Sequence, residues 1–359
     1  MATRQRALDI ISGRDTSALG SVARAGLSVL SPAYGFATTA RACAFSLGLK
    51  RQLPLGRPAV SVGNLTTGGT GKTPMVQCLA RQLAEQGHRP CVLLRGYRGG
   101  DEAKEHKQVL GDLAVVRPNP DRVAEAASVL TEHPEVSCFV LDDGFQHRRA
   151  ARDLDLVLLD ATNPWGFGRL LPRGLLREPR SALRRADGII LTRVDQVEPD
   201  TIEPLRQEVE RIAGRPPIAH ATHAWTGLLD QNDQHLPVQW LADQTVMGIA
   251  AIGNPGAFAD TLGQHAKAVV HCEARPDHHG YTPGELHHLA ALAATAGASA
   301  IVTTQKDWVK WQPMLEDRPW VHASSQAMAV VRPQLSIRFK QGEQALAQLL
   351  IERIGMPKA

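Results

Sequence analysis

The run SVGNLTTGGTGKTP at residues 61–74 sets Gly68, Gly69 and Gly71 ahead of Lys72 and Thr73. Those residue types in that order suit phosphate chemistry. Backbone N–H groups from Gly68 to Thr73 can converge on anionic oxygens at the positive end of a following helix. Lys72 then reaches the phosphate oxygens, and the Thr73 hydroxyl can ligate Mg²⁺. The strict pattern G-x-x-x-x-G-K-[ST] asks for glycine where this chain has Thr66. The remaining three glycines still permit the close approach. An apolar run before the loop and a helical pattern after it supply the context that a mere glycine-rich turn would not need.

A second constellation is CFVLDDGFQHRR at residues 138–149. Two carboxylates stand at the end of an apolar strand, and parallel strands deliver such ends to the sheet edge that carries the loop. Asp142 is the natural Mg²⁺ carboxylate. Asp143 is then an extra negative charge beside a metal and a triphosphate, which is costly without a cation or proton donor. The bland alternative is an acidic turn capping GFQH.

The elements that must position these residues alternate along the chain. AVSVGN (59–64), CVLLR (91–95), SCFVL (137–141), DLVLLD (155–160) and GIILT (188–192) are short apolar runs fit for strands buried on both faces of a parallel sheet. After Pro74, Val76, Leu79, Ala80 and Leu83 recur at helical spacing, and Gly87 suits the stop. Pro216-Pro217 break the pattern, and MGIAAI (247–252) and AIVTT (300–304) begin a second α/β block. The predicted fold is α/β: a P-loop NTPase-like parallel-sheet domain over 58–215, a smaller α/β domain over 216–340, and a C-terminal helix or tail over 341–359. A ligand cleft is expected between the two domains.

Residues 1–57 form a separate, basic arm. They carry eight Arg or Lys against two Asp, a net +6, whereas the rest of the chain sums to −2. The stretch from Ala25 to Ala40 is charge-free but too short and too diluted to span a bilayer, and the start lacks the form of a signal peptide. Beyond Pro32, Ala33, Phe36, Ala37, Ala40, Ala44 and Leu47 share a helical face that can lie on an anionic membrane or pack on the protein's own body. The slightly acidic remainder and 4% aromatic content argue against nucleic acid. Five scattered cysteines without a C-x-x-C pair point to a reducing compartment rather than disulfides or a zinc site.

RGYRGGDEA (95–103), GRLLPRGLLREP (168–179), GNPGAFADTL (253–262) and RPDHHGYT (275–282) complete a set with the two motifs above. Together, from about Leu30 to Lys310, the chain resembles the tetraacyldisaccharide 4'-kinase family, lipid A pathway enzymes of Gram-negative bacteria. The resemblance implies transfer of the ATP γ-phosphate to the 4'-hydroxyl of an acylated disaccharide 1-phosphate lipid. It also implies work at the cytoplasmic face of the inner membrane, with ATP and Mg²⁺ and no obligatory protein partner. Carried over by motif, Thr66, Thr67, Gly68, Gly69, Thr70, Gly71, Lys72 and Thr73 match the ATP loop, where the first glycine is commonly absent. Asp101 matches a proposed base, Glu102 a residue near the metal, and Asp142 with Thr73 the metal ligands. Asp143 and His278 match a carboxylate–histidine pair bridging the domains, and Arg177 an arginine facing the phosphates. Two departures stand out: a short segment before Asp101 with Ala103 in place of proline, and Gln305 in place of glutamate. The rival reading is a P-loop GTPase, in which ILTRVD (190–195) reads guanine through Asp195. A non-catalytic membrane-binding module would leave both motifs idle.

Overall fold

The computed structural model describes residues 2–96, 100–277, 279–316 and 328–356. It comprises two compact units, one made of residues 2–223 with the segment from 337 onward, the other of residues 224–336.

The larger unit opens with helices α1 (Ala2–Ser12) and α2 (Ala18–Ser46). It continues β1 (Ala59–Asn64), α3 (Lys72–Glu85), β2 (Pro90–Leu94), α4 (Asp101–Leu110), β3 (Val115–Pro118), α5 (Arg122–Glu132) and β4 (Cys138–Asp142). Then come β5 (Leu154–Asp160), β6 (Gly188–Thr192), α6 (Pro199–Ala213) and the first part of β7 (Ala219–Asp230). Its strands lie in the order β7-β6-β5-β1-β4-β2-β3. The pairings from β6 to β3 are all parallel, and β1 sits between β4 and β5. That is the arrangement the continuous apolar runs imply, because β1, β2, β4, β5 and β6 are buried along their whole length.

Helices cover both sheet faces. Met75, Leu79 and Leu83 of α3 and Leu110 of α4 pack with Val60 and Val62 on one face. Val129 of α5 packs with Phe139, and Leu205 and Val209 of α6 with Leu159 and Leu191, on the other. Fully burying each such side chain contributes about 1.5–3 kcal/mol.

The smaller unit holds the rest of β7, β8 (His235–Leu236), β9 (Thr245–Ala250), α7 (Pro255–His265), β10 (Ala268–Ala274), α8 (Pro283–Thr295), β11 (Ala300–Thr303), α9 (Gln305–Glu316) and most of β12 (Ala329–Gln341). Strands β10-β9-β11-β12 form a parallel set. Buried Asp307 is satisfied by Ala251 N–H at 2.9 Å, the Thr304 hydroxyl at 2.7 Å and the Tyr281 hydroxyl at 3.3 Å. Gln305 accepts from Arg332 Nε at 2.8 Å, so the departure at this position serves packing within the unit.

The last helix, α10 (Glu343–Ile354), belongs to the larger unit: Leu346, Leu350 and Ile354 join the core of Val60 and Leu79. The segment read as a C-terminal helix or tail thus holds a helix whose buried face joins the core.

Helix α2 differs from the expected helix after Pro32. It begins at Ala18, capped by Ser17 whose hydroxyl accepts from Gly20 N–H at 3.0 Å, and runs through Pro32. One face docks on the larger unit: the Ser31 hydroxyl donates to Leu170 O at 3.0 Å, the Tyr34 hydroxyl to Arg177 O at 3.1 Å, and Arg148 to Ala42 O at 2.8 Å. The opposite face exposes Leu19, Val22, Val29, Leu30, Phe36 and Leu47, with Phe36 78% exposed. Of the expected apolar face, Ala33, Phe36, Ala37, Ala40 and Leu47 are exposed and Ala44 is half-buried, so most of that face is not spent on the protein's own body. Among the described residues no helix is long and apolar enough to cross a membrane.

Candidate active site

Strand β1 ends at Asn64, and its side chain is the hub of the site. Asn64 Nδ2 donates to Thr70 Oγ1 at 2.8 Å, and Asn64 Oδ1 accepts from Lys72 Nζ at 3.3 Å and from Arg177 Nη2. The loop from Thr66 to Gly71 is braced on two sides. On one, Thr66 bridges to Leu176 and Thr67 N–H donates to Leu175 O at 2.8 Å. On the other, the Thr192 hydroxyl donates to Thr70 O at 3.1 Å and Arg193 Nη2 donates to Gly69 O. Gly71 begins α3 with a left-handed φ of 89°, and no side chain caps the helix. A Cβ there would stand 2.2 Å from His223 Nε2, so glycine is required by both conformation and space. Gly68 and Gly69 face open space. An uncapped helix start behind an open glycine loop is an anion site by its own electrostatics.

The DDGF turn folds back over β1. Gly144 N–H donates to Val62 O at 3.1 Å, and a Cβ on Gly63 would meet Phe145 Cβ at 2.4 Å. This close crossing brings the aspartate pair to the loop. Asp143 itself adopts a left-handed φ of 51°, a strained setting for a non-glycine residue. Its carboxylate takes both Arg177 guanidinium nitrogens, Nη1 to Oδ2 at 2.9 Å and Nη2 to Oδ1 at 2.8 Å, with Lys72 Nζ 3.6 Å from Oδ1. Burial raises its pKa, but the charge of Lys72 and the bidentate bond and charge of Arg177 outweigh that and hold it well below the usual range. Asp143 is therefore an anion already matched by cations.

Asp142 is 5% exposed, and its Oδ2 lies 3.1 Å from Nε2 of fully buried His106. Asp101 and Glu102 occupy the first turn of α4, the helix that carries His106. A single helix thus links the acidic pair to the strand-end aspartate. Among the described residues no group of three or more His, Cys, Asp or Glu is placed to hold a metal. Mg²⁺ takes one or two carboxylates, phosphate oxygens and water rather than a protein cage. The Thr73 hydroxyl and the Asp142 carboxylate are donors of the right hardness.

The tetraacyldisaccharide-1-P 4'-kinase family model matches residues 23–354. The chain belongs to that family. The tetraacyldisaccharide 4'-kinase of Anaeromyxobacter dehalogenans is 38% identical over 319 residues, covering 83% of this chain and 84% of that protein. The one from Geobacter metallireducens is 36% identical over 330 residues, covering 86% and 94%. A crystal structure of LpxK from Aquifex aeolicus in complex with ATP is similar with a TM-score of 0.72 and 27% identity, over 92% of this chain and 99% of that one.

As a member of a 4'-kinase family the chain is a phosphotransferase, and the GTPase reading is not favoured. In the structure Arg193 bonds Asp160 and the Gly69 carbonyl, while Asp195 is exposed. Lys72, Asp143 and Arg177 are brought together at Asn64, Thr73 follows Lys72 at the start of α3, and Asp142 at the end of β4 bonds His106. His278 lies outside the described residues. Its neighbours are tied to α9, Asp277 to Lys306 Nζ at 2.8 Å and the His279 carbonyl to Lys310 Nζ at 3.0 Å.

Sequence reasoning did not find Asn64, His106, Arg193 or His223. The i,i+4 spacing of Glu102 and His106 was a signal for one of them; the others depend on strand order. His223 is held near pKa 4 by burial and by the charge of Arg193, and His147 also near 4 by burial and then Arg122 and Arg152. An imidazole ordinarily titrates near 6.5, so between those values the unfolded chain binds more protons and stability falls as pH drops. The contribution is complete above about pH 6.5 and lost as pH falls to about 4. Urea midpoints at pH 7 and pH 4.5 should fall less for His223→Gln than for the wild type; equal losses would contradict the assignment.

Proposed function

We propose that this chain transfers the γ-phosphate of ATP to the 4'-hydroxyl of a tetraacyldisaccharide 1-phosphate lipid. The observation that carries the reading is the charge cluster at the loop: Lys72 and Arg177 converge on Asn64 and Asp143, where a triphosphate would lie. Phosphoryl transfer has little covalent chemistry for a protein to perform, so positioning and positive charge dominate. In this reading the loop amides from Gly68 to Thr73 hold the phosphates. Lys72 and Arg177 steady the charge on the transferring group. Thr73 and Asp142, with Glu102 nearby, would hold Mg²⁺, which would neutralise phosphate charge when bound.

A sugar hydroxyl has too high a pKa to attack unaided, so a carboxylate must take its proton as the new P–O bond forms. Asp101 in the first turn of α4 is assigned that role, Asp143 the role of ordering the cations, and His278 the role that its family motif implies. A depressed pKa makes Asp143 a poor proton acceptor, which favours Asp101.

The arm supports work at a membrane. The outward face of α2 presents Val22, Val29 and Phe36 one heptad apart, and residues 1–57 carry a net +6. Such a helix lies in an anionic interface with its apolar side down. We assign the protein to the cytoplasmic face of the inner membrane, where an acylated substrate would be reached without leaving the bilayer.

Purified protein in detergent with Mg²⁺, γ-labelled ATP and tetraacyldisaccharide 1-phosphate should place label on the lipid 4'-position, and GTP should serve poorly. Asp101→Ala should lower kcat by about 10²–10⁴-fold, the range for loss of a general base. Asp143→Ala and His278→Ala should lower turnover as well. Label released only as inorganic phosphate, or equal use of GTP, would sink the reading. In a separate sedimentation assay with phosphatidylglycerol-containing vesicles, Val29→Glu/Phe36→Glu should weaken binding at least about 10-fold, from the apolar area no longer buried. Unchanged sedimentation would remove the membrane role of this face.

A further inference from the structure

Helix α4 buries one stripe, Ala103, His106 and Leu110. Ala103 and Leu110 belong to the apolar core with Met75 and Leu79. His106 sits between them, fully buried, in an otherwise apolar stripe. A polar ring in such a stripe costs free energy unless it is bonded. Its partner is Asp142: a carboxylate only accepts, so Nε2 carries the proton and donates to Oδ2 at 3.1 Å. The other ring nitrogen, Nδ1, is buried without a hydrogen-bond partner among the described residues, so Asp142 supplies the hydrogen bond that orients the imidazole.

The bond has consequences at both ends. At Asp142 it occupies one carboxylate oxygen, Oδ2, at the end of β4. At α4 it pins the helix one turn below Glu102, which shares its face at i,i+4 spacing. The first turn with Asp101 and Glu102 follows as a rigid body, about 6–8 Å up the helix axis at 1.5 Å per residue.

We propose that His106 is a positioning residue that orients Asp142 for a divalent cation and sets the acidic first turn of α4 against it. This rests on the kinase reading above. Carboxylates that ligate metals are themselves held by outer partners, and loss of such a partner typically costs 10–100-fold in metal affinity or activity.

The test compares His106→Gln, whose amide can reach the place of Nε2, with His106→Leu and His106→Asn, which cannot. Mn²⁺ binding to the protein with a non-hydrolysable ATP analogue is followed by electron paramagnetic resonance, beside kcat, KM for ATP, and urea midpoints. Leu and Asn should weaken Mn²⁺ binding by about 10–100-fold and lower kcat with KM for ATP little changed, and Gln should recover most of both. If Leu proves unstable, Asn against Gln carries the comparison. A loss of stability with Mn²⁺ affinity unchanged, or equal behaviour of Gln and Asn, overturns the proposal. The Mn²⁺ readout needs no lipid acceptor. Wild type that binds Mn²⁺ through His106 but labels no lipid would therefore refute the kinase reading and leave the positioning role standing.

Discussion

Asp143 carries a negative charge within reach of a phosphate loop, and everything near it is arranged around that charge. Left alone, it would repel a triphosphate. Instead Arg177 binds it through both guanidinium nitrogens and Lys72 lies 3.6 Å away, while Asn64 takes hydrogen bonds from the same two cations. Both cations are thus pre-placed at the loop by an internal anion. Their long side chains are held at the loop before any ligand arrives. A phosphoryl group that draws Lys72 and Arg177 toward itself keeps their positions and exchanges their partner.

That arrangement depends on the sheet order. Because β1 runs between β4 and β5, the loop that follows it opens beside the end of β4, where Asp142 and Asp143 emerge. The Asp143 turn must pass directly over β1, and Gly63 and Gly144 are the positions where a side chain would block the crossing. Arg177 reaches the same point because the strand-like segment at Leu175 and Leu176 lies along Thr66 and Thr67, and its own N–H donates to Leu65 O at 2.7 Å. Tyr34 of α2 bonds the Arg177 carbonyl, so the arm also helps to hold this wall.

Much of this was legible in the residues. The continuous apolar runs marked β1, β2, β4, β5 and β6, and the 3.6-residue spacing from Val76 to Leu83 marked α3, because burial of both sheet faces leaves no polar alternation to confuse the pattern. The loop and the aspartate pair were legible because their chemistry needs those residue types. Strand β12 was hidden, since Pro333 within it reads against a strand. Four-residue β3 is too short to show a period. Arg193 and His223 were hidden for another reason: each reaches the loop from a different strand, and no local pattern records which strands are neighbours. The extent of α2 was misjudged because Pro32 reads as a helix start, whereas the helix simply forgoes one hydrogen bond and continues.

On this reading Asp143 holds the cations for the phosphates rather than binding nucleotide itself. Calorimetric titration of ATP into the wild type and into Asp143→Asn, without lipid, tests it most directly. The account predicts that the amide variant binds ATP as tightly or more tightly, since Lys72 and Arg177 lose a competing anion and the phosphates lose a repulsive neighbour. Clearly weaker ATP binding by Asp143→Asn in a folded protein would contradict it, and would make the carboxylate part of the nucleotide site.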